Sequence, residues 1–130
     1  MHPPPSAQRY LESQVLTAAP EQLVVMLYDG AIRFCARAEA ALERGNASEA
    51  GESMIRAQRI VLELLCALRP EENPAISQNL SALYTFMYEQ LVWANVHADA
   101  GKIQTVSKLL GTLREGWAEA IDKRKKEEVR

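Results

Sequence analysis

The sequence contains few of the residues from which catalytic and metal sites are usually built. Its 130 residues include two histidines and two cysteines. Neither histidine follows a glutamate by three positions, so the Glu-x-x-His ligand pairs of di-iron helical bundles are absent from the sequence. Glycine-rich phosphate loops and the Gly-x-Ser-x-Gly nucleophile motif are absent as well. We therefore expect a protein that is not an enzyme and that needs no cofactor.

Strand and membrane signals are also scarce. Asn-Gly or Asp-Gly turns flanked by alternating apolar residues do not occur, which argues against β-hairpins. No apolar run approaches the roughly 20 residues of a membrane span, and the opening Met-His-Pro-Pro-Pro does not resemble a secretory signal. Cys35 and Cys66 fall within helical patterns and are expected to be buried thiols of a reducing compartment. The sequence thus predicts an all-α, cytoplasmic protein with no direct membrane insertion.

Charge is unevenly distributed along the chain. Residues 1–122 contain 10 Lys or Arg and 15 Asp or Glu, whereas residues 123–130 contain 5 basic and 2 acidic residues. An acidic body lacks the electrostatic footprint of a nucleic-acid-binding protein. The basic run 123–126 is typical of a helix C-terminus or of a solvated tail.

Four stretches have helical periodicity with start signals. Pro20 and Glu21 suit the first turn of a helix that ends near Arg44, before Gly45. Asn46 with a glutamate three residues later resembles a capping box, and Asn73 and Asp99 can cap the third and fourth helices. Because the connections are short, neighbouring helices must be antiparallel. The predicted fold is an up-down four-helix bundle.

The predicted helices have wider apolar faces than a single partner surface usually covers. We place the core face of the first helix on six residues and expect Gly30 to permit close helix approach. These six are Leu23, Leu27, Ala31, Phe34, Ala38 and Leu42. Three units follow from the pattern: a mobile N-terminal docking segment (1–18), the bundle (19–122) and a charged tail (123–130). Something must cover the extra apolar flanks, either this chain or another protein.

From about Tyr10 to Ile121, a series of short fragments resembles the FliS family of flagellar export chaperones in sequence, order and spacing. The matching pieces are the lead-in from Tyr10 to Thr17, APEQL and MLYDGA in residues 19–31, NLSALY in residues 79–84 with the following Met87, Leu91, Ala94 and Asn95, and Leu109-Leu110 with Trp117.

This resemblance implies a chaperone that binds the disordered C-terminal segment of flagellin, prevents premature polymerisation and aids delivery to the membrane export gate. In such proteins the tyrosine-bearing N-terminal segment can occupy part of the client site. The sequence leaves open whether an anti-sigma factor is a second partner.

Seven residues are candidates for partner contact because they flank the deepest apolar stripes or lie on the N-terminal segment. They are Tyr10, Ile55, Leu62, Tyr84, Tyr88, Leu91 and Asn95. A core position is the favoured interpretation for Tyr84 and Leu91. Asn95 could hydrogen-bond a partner's backbone. Phe86 and Trp93 project together from another side of the third helix, where they form a docking surface or are covered by the N-terminal segment.

Two alternatives from other functional classes stay open at this point. A helical-bundle phosphotransfer protein would use a solvent-facing histidine, and His97 is the candidate. A non-catalytic bundle would bury its wide apolar faces by self-association.

Overall fold

Asparagine and aspartate caps set the starts of three of the four helices. The computed structural model describes residues 20–129, and within that range it contains four helices and no strand: α1 Pro20–Glu43, α2 Ala47–Cys66, α3 Pro74–His97 and α4 Ala100–Glu128. The side-chain oxygen of Asn46 accepts from the backbone N–H of Glu49 at 3.1 Å. Asn73 and Asp99 accept in the same way at the starts of α3 and α4. All three predicted caps are confirmed.

Short connections arrange the helices as an antiparallel bundle. Each helix packs against its neighbours in the chain, and α1 also packs against α4, which closes the four-helix arrangement. Gly45 ends α1 with a φ of 72°, the left-handed conformation that glycine adopts without steric cost. The α3–α4 pair packs least extensively of the four neighbouring pairs. The predicted fold class is confirmed.

The core of α1 is rotated from the predicted face. Tyr28, Cys35 and Ala41 are completely buried, whereas Leu23, Phe34 and Leu42 are half-buried at the edges. The buried core comprises Tyr28, Ala31, Cys35, Ala38, Ala41, Ala50, Met54, Ala57, Val61, Leu64, Tyr84, Met87, Leu91, Ala94, Ile103, Val106 and Leu110. Alanines line much of the α1 interface, and small side chains let helix backbones approach closely.

Gly30 lies where α1 packs tightly against α2. A β-carbon at this position would lie 3.2 Å from Cδ1 of Ile60. The expectation that Gly30 permits close helix approach is therefore confirmed.

The expectation that both cysteines are buried needs correction. Cys35 is buried but Cys66 is exposed, because Cys66 lies on the outer side of the last turn of α2. Helix α4 continues to Glu128, so the basic run 123–126 lies near a helix C-terminus, one of the two settings expected for it. Ile121 is the last buried residue of α4, which means that the core ends before the helix does. Within residues 20–129, no helix has the length and apolar character needed to cross a membrane.

Candidate functional site

By helical position, Ile55 and Leu62 lie at the edge of α2 next to α3, and Tyr88 and Asn95 lie at the edge of α3 next to α2; we call this strip the α2–α3 groove. Ile55 and Leu62 are seven residues apart on one face of α2, and their exposed fractions are 42% and 39%. Large aliphatic side chains in this position lose water contact only if a partner covers them. The groove therefore contains apolar surface that the described part of the chain does not bury.

Asn95 fixes the register of the groove. Its Oδ1 atom would lie 3.2 Å from a β-carbon at Gly51, so α2 and α3 are close at this level. Running the two helices antiparallel from that contact places Tyr88 between Ile55 and Leu62 along the bundle axis. Four of the seven candidate residues thus lie along one channel.

The polar groups of the groove have unused hydrogen-bonding capacity. Neither the Asn95 amide nor the Tyr88 hydroxyl forms a hydrogen bond to another residue in the range 20–129. Both side chains are half-buried. A partner segment with free backbone groups would find a donor and acceptors beside an apolar surface, which is the combination that fixes orientation in a binding site.

The remaining three candidates lie elsewhere. Tyr84 and Leu91 are buried in the core, with exposed fractions of 1% and 0%, so neither presents surface to a partner at the groove. Tyr10 lies outside the described residues, and its role stays a prediction.

A second concave feature, the end pocket, opens where α1 begins and α2 ends. Its cavity volume is about 750 Å³. All four helices and the 67–73 connection contribute to its lining. The apolar lining residues include Leu23, Val24, Leu27, Leu64, Leu68, Ile76, Leu80 and Trp117. Sequence reasoning missed this pocket. The available signal was the apolar residues at the starts of α1 and α3, which the core covers only in part.

A buried tyrosine pair lies beneath the end pocket. The hydroxyl groups of Tyr28 and Tyr84 hydrogen-bond to each other, and Tyr84 also lines the pocket. Burial raises the pKa of both phenols above the ordinary value of 10, because a phenolate would lose hydration there. Trp117 partly offsets the effect of burial on the pKa of Tyr28. The pair is therefore a neutral polar contact inside an otherwise apolar core.

His97 is held by its own helix. The ring stacks on Trp93 with 3.7 Å between ring centroids, and Nδ1 lies 3.1 Å from the Trp93 carbonyl oxygen. Among residues 20–129, no three His, Cys, Asp or Glu side chains form a group that could hold a metal ion.

The described residues thus form a four-helix bundle with exposed apolar surface at the α2–α3 groove and an apolar end pocket. The FliS family model, described as "Flagellar protein FliS", matches residues 3–124. The chain belongs to the FliS family, and it is accordingly a flagellar secretion chaperone. This assignment favours a chaperone over phosphotransfer at His97.

Relatives cover nearly the whole chain. It is 38% identical over 125 residues to the flagellar secretion chaperone FliS of Salmonella typhimurium, a match that spans 95% of this chain and 93% of the relative. It is 34% identical over 118 residues to the FliS chaperone of Bacillus subtilis, with coverage of 91% and 87%. A crystal structure described as a bacterial flagellar chaperone has the same fold, with a TM-score of 0.76 at 22% identity and coverage of 91% and 96%.

Proposed function

We propose that this chaperone binds the C-terminal segment of flagellin, disordered when free, in the α2–α3 groove. By holding that segment apart from other flagellin molecules, the complex prevents premature polymerisation and presents the client to the membrane export gate. The observation that carries the proposal is the row of exposed apolar side chains on α2 facing the unused hydrogen-bonding groups of Tyr88 and Asn95.

The physical basis is helix-in-groove recognition. An amphipathic client segment that orders on binding would cover Ile55 and Leu62, and the ordering entropy would offset much of the contact energy. Such coupled folding and binding suits a carrier that must release its client at the export gate.

The direct test replaces one residue on each wall. The double variant Ile55→Ala with Tyr88→Ala should weaken binding of a flagellin C-terminal peptide about 10- to 100-fold, since two apolar contacts of roughly 1 kcal/mol or more are lost. Isothermal titration calorimetry gives the affinity, and circular dichroism gives helicity and melting temperature.

A matched control is Val129→Ala, which removes an exposed apolar side chain at the far end of α4. It should leave affinity and melting unchanged. A large loss of stability in the groove variant with unchanged affinity would place Ile55 and Tyr88 in the core and refute the groove. No binding by the wild-type chain would refute the client assignment itself.

We further propose that residues 1–18 act as a gate that competes with the client, with Tyr10 as the contact residue. The segment has apolar residues at Tyr10, Leu11, Val15 and Leu16, too few for a stable free helix. Deleting residues 1–17 should leave the bundle folded and increase binding of an apolar-surface dye, with Tyr10→Ala giving part of the increase. Unchanged dye binding would contradict the gate.

A further inference from the structure

Helix α3 has most of the uncovered apolar surface of the bundle. Of the eight large apolar side chains that are exposed in residues 20–129, five lie on this helix. These five are Ile76, Phe86, Val92, Trp93 and Val96. A monomer rarely leaves an apolar surface of this kind without a binding role.

The outward side of α3 has the residue spacing of a helix–helix contact. Five exposed residues follow one another at alternating intervals of four and three: Ala82, Phe86, Glu89, Trp93 and Val96. We call this row the α3 outer stripe. The same a/d spacing forms the seam of a coiled coil, where side chains in one row pack against a facing helix. The buried residues of α3, such as Met87 and Leu91, lie on the opposite side, so the stripe points away from its own bundle.

Trp93, the largest side chain of the α3 outer stripe, is held in place by its neighbours. His97 stacks on the indole with 16° between the ring planes. The Lys102 ammonium of α4 lies 5.6 Å from the ring centroid and donates to Oε1 of Gln90 at 3.1 Å. An aromatic side chain that is ordered before binding loses less entropy when another protein covers it.

This surface has one unpaired charge of each sign. The Glu89 carboxylate lies within the stripe and forms no ion pair with any residue in the range 20–129. Lys102 also has no carboxylate partner in that range, because its contacts are the Gln90 amide and the Trp93 ring. Successive residues of a helix project about 100° apart. The ammonium held at Gln90 therefore lies beside Glu89 along the axis but points to another side of α3.

Such a surface is complementary to itself. In an antiparallel pair of α3 helices, Phe86 can face Trp93 of a second copy. The same register sets Glu89 beside Gln90 of that copy, where Lys102 is held. Two-fold symmetry forms each of these contacts twice. A parallel pair would set each Glu89 against its equivalent, and like charges repel, so the charges favour the antiparallel arrangement.

We propose that this chaperone forms a two-fold symmetric dimer in which the α3 outer stripes of two copies pack antiparallel. Phe86 of each copy packs on Trp93 of the other, and Glu89 of each copy pairs with Lys102 of the other. The stripe is about 21 Å long at 1.5 Å per residue, which is short for a stable interface. The dimer is therefore reversible and dissociates in the micromolar range. Its formation does not depend on client binding in the α2–α3 groove.

Sedimentation velocity of the full-length chain, without client, tests the proposal across the micromolar range. The wild-type chain should change from dimer to monomer on dilution. The double variant Phe86→Ala with Trp93→Ala should be monomeric at every concentration and retain wild-type helicity by circular dichroism, because both side chains lie outside the core.

Charge reversal tests the pairing itself. Glu89→Lys and Lys102→Glu should each weaken the dimer at least tenfold, because each then sets like charges together twice in one dimer. A mixture of these two single variants should form a heterodimer with affinity near that of wild type, since both pairs are again of opposite sign. Lys102→Glu suits the start of α4, because a glutamate three residues after the Asp99 cap is favourable there.

The matched control is Lys108→Glu, which makes the same charge change at an exposed position on the outer side of α4. It should dimerise like wild type. A wild-type chain that is monomeric throughout, a dimer that persists in the Phe86 and Trp93 double variant, or a mixture of the two charge variants that stays monomeric would each overturn the proposal. Dimerisation only after deletion of residues 1–18 would also overturn it, because that segment would then cover the stripe in the full-length chain.

Discussion

The buried hydroxyl pair of Tyr28 and Tyr84 allows a quantitative test of the core. Tyr28→Phe and Tyr84→Phe each delete one hydroxyl and preserve the ring, so each single change leaves the other hydroxyl buried without its partner. The double variant removes both hydroxyls together. The three variants and the wild type form a double-mutant cycle.

The structure sets the expected magnitudes. An orphaned buried polar group costs about 1–3 kcal/mol, whereas replacing both partners by apolar groups of the same shape is nearly neutral. Tyr84→Phe should therefore destabilise the bundle by about 2 kcal/mol. Tyr28→Phe should cost a similar amount, because it leaves the Tyr84 hydroxyl buried without its partner. The double variant should lose no more than the worse single variant.

Urea denaturation followed by circular dichroism at 222 nm measures these free energies. For a bundle of this size, 2 kcal/mol corresponds to a fall in melting temperature of about 8 °C. Tyr88→Phe is the matched control: the Tyr88 hydroxyl is half-buried and has no hydrogen-bond partner in residues 20–129, so its loss should change stability by less than about 0.5 kcal/mol.

The reasoning is refuted if the single losses add in the double variant. Additivity would mean that the two hydroxyls are not coupled. Single variants as stable as the Tyr88→Phe control would show that water or a rearranged neighbour satisfies the remaining hydroxyl.

Two further predictions concern the pH dependence of stability and the substitution of Gly116 and Gly45. The pKa values of Tyr28 and Tyr84 are raised in the folded state, so above about pH 10 the unfolded chain loses its phenolic protons first and the free energy of unfolding should fall as the pH rises. The urea midpoint, measured from about pH 9 to 11.5, should therefore fall less steeply in the double Phe variant than in wild type. Gly116→Ala should raise the free energy of unfolding by about 0.5–1 kcal/mol, because the added β-carbon meets nothing within 4 Å. Gly45→Ala should lower it by about 1 kcal/mol, because Gly45 has a φ of +72°. The two variants should shift the melting temperature in opposite directions, and shifts of the same sign would contradict the prediction.

Local signals were enough to predict the helices and their order. Asn46, Asn73 and Asp99 act within one turn of their own position, so the sequence alone identifies them as caps. The antiparallel arrangement followed from connection length. Neither inference requires knowledge of which helix faces which.

Periodicity could not choose the buried face of α1. Apolar residues cover about half of that helix, so the face centred on Leu27 and the face centred on Tyr28 both fit a helical period. The choice depends on where α2 and α4 lie, with Gly30 against Ile60 and Asp29 bonded to Arg114 of α4 at 2.8 Å. These are long-range contacts that no local pattern encodes.

The sequence predicted part of the candidate site but not the contacts between helices. Ile55 and Leu62 formed a second apolar stripe beside the core of α2, and the structure places that stripe on the open side of the helix. For Tyr84 a core position is the favoured interpretation from the sequence, and the structure buries its side chain with the hydroxyl bonded to that of Tyr28 from α1. Such a pairing becomes visible only once the helices are assembled.

The unequal lengths of the helix connections give the bundle a stiff end and an adjustable end. Ala98 and Asp99 alone join α3 to α4, with Ala98 in a left-handed conformation, while the seven residues 67–73 join α2 to α3 beside the end pocket. We expect a bulky ligand to be accommodated by hinge-like spreading of α2 from α3 at the 67–73 end, while the α3–α4 corner keeps its spacing.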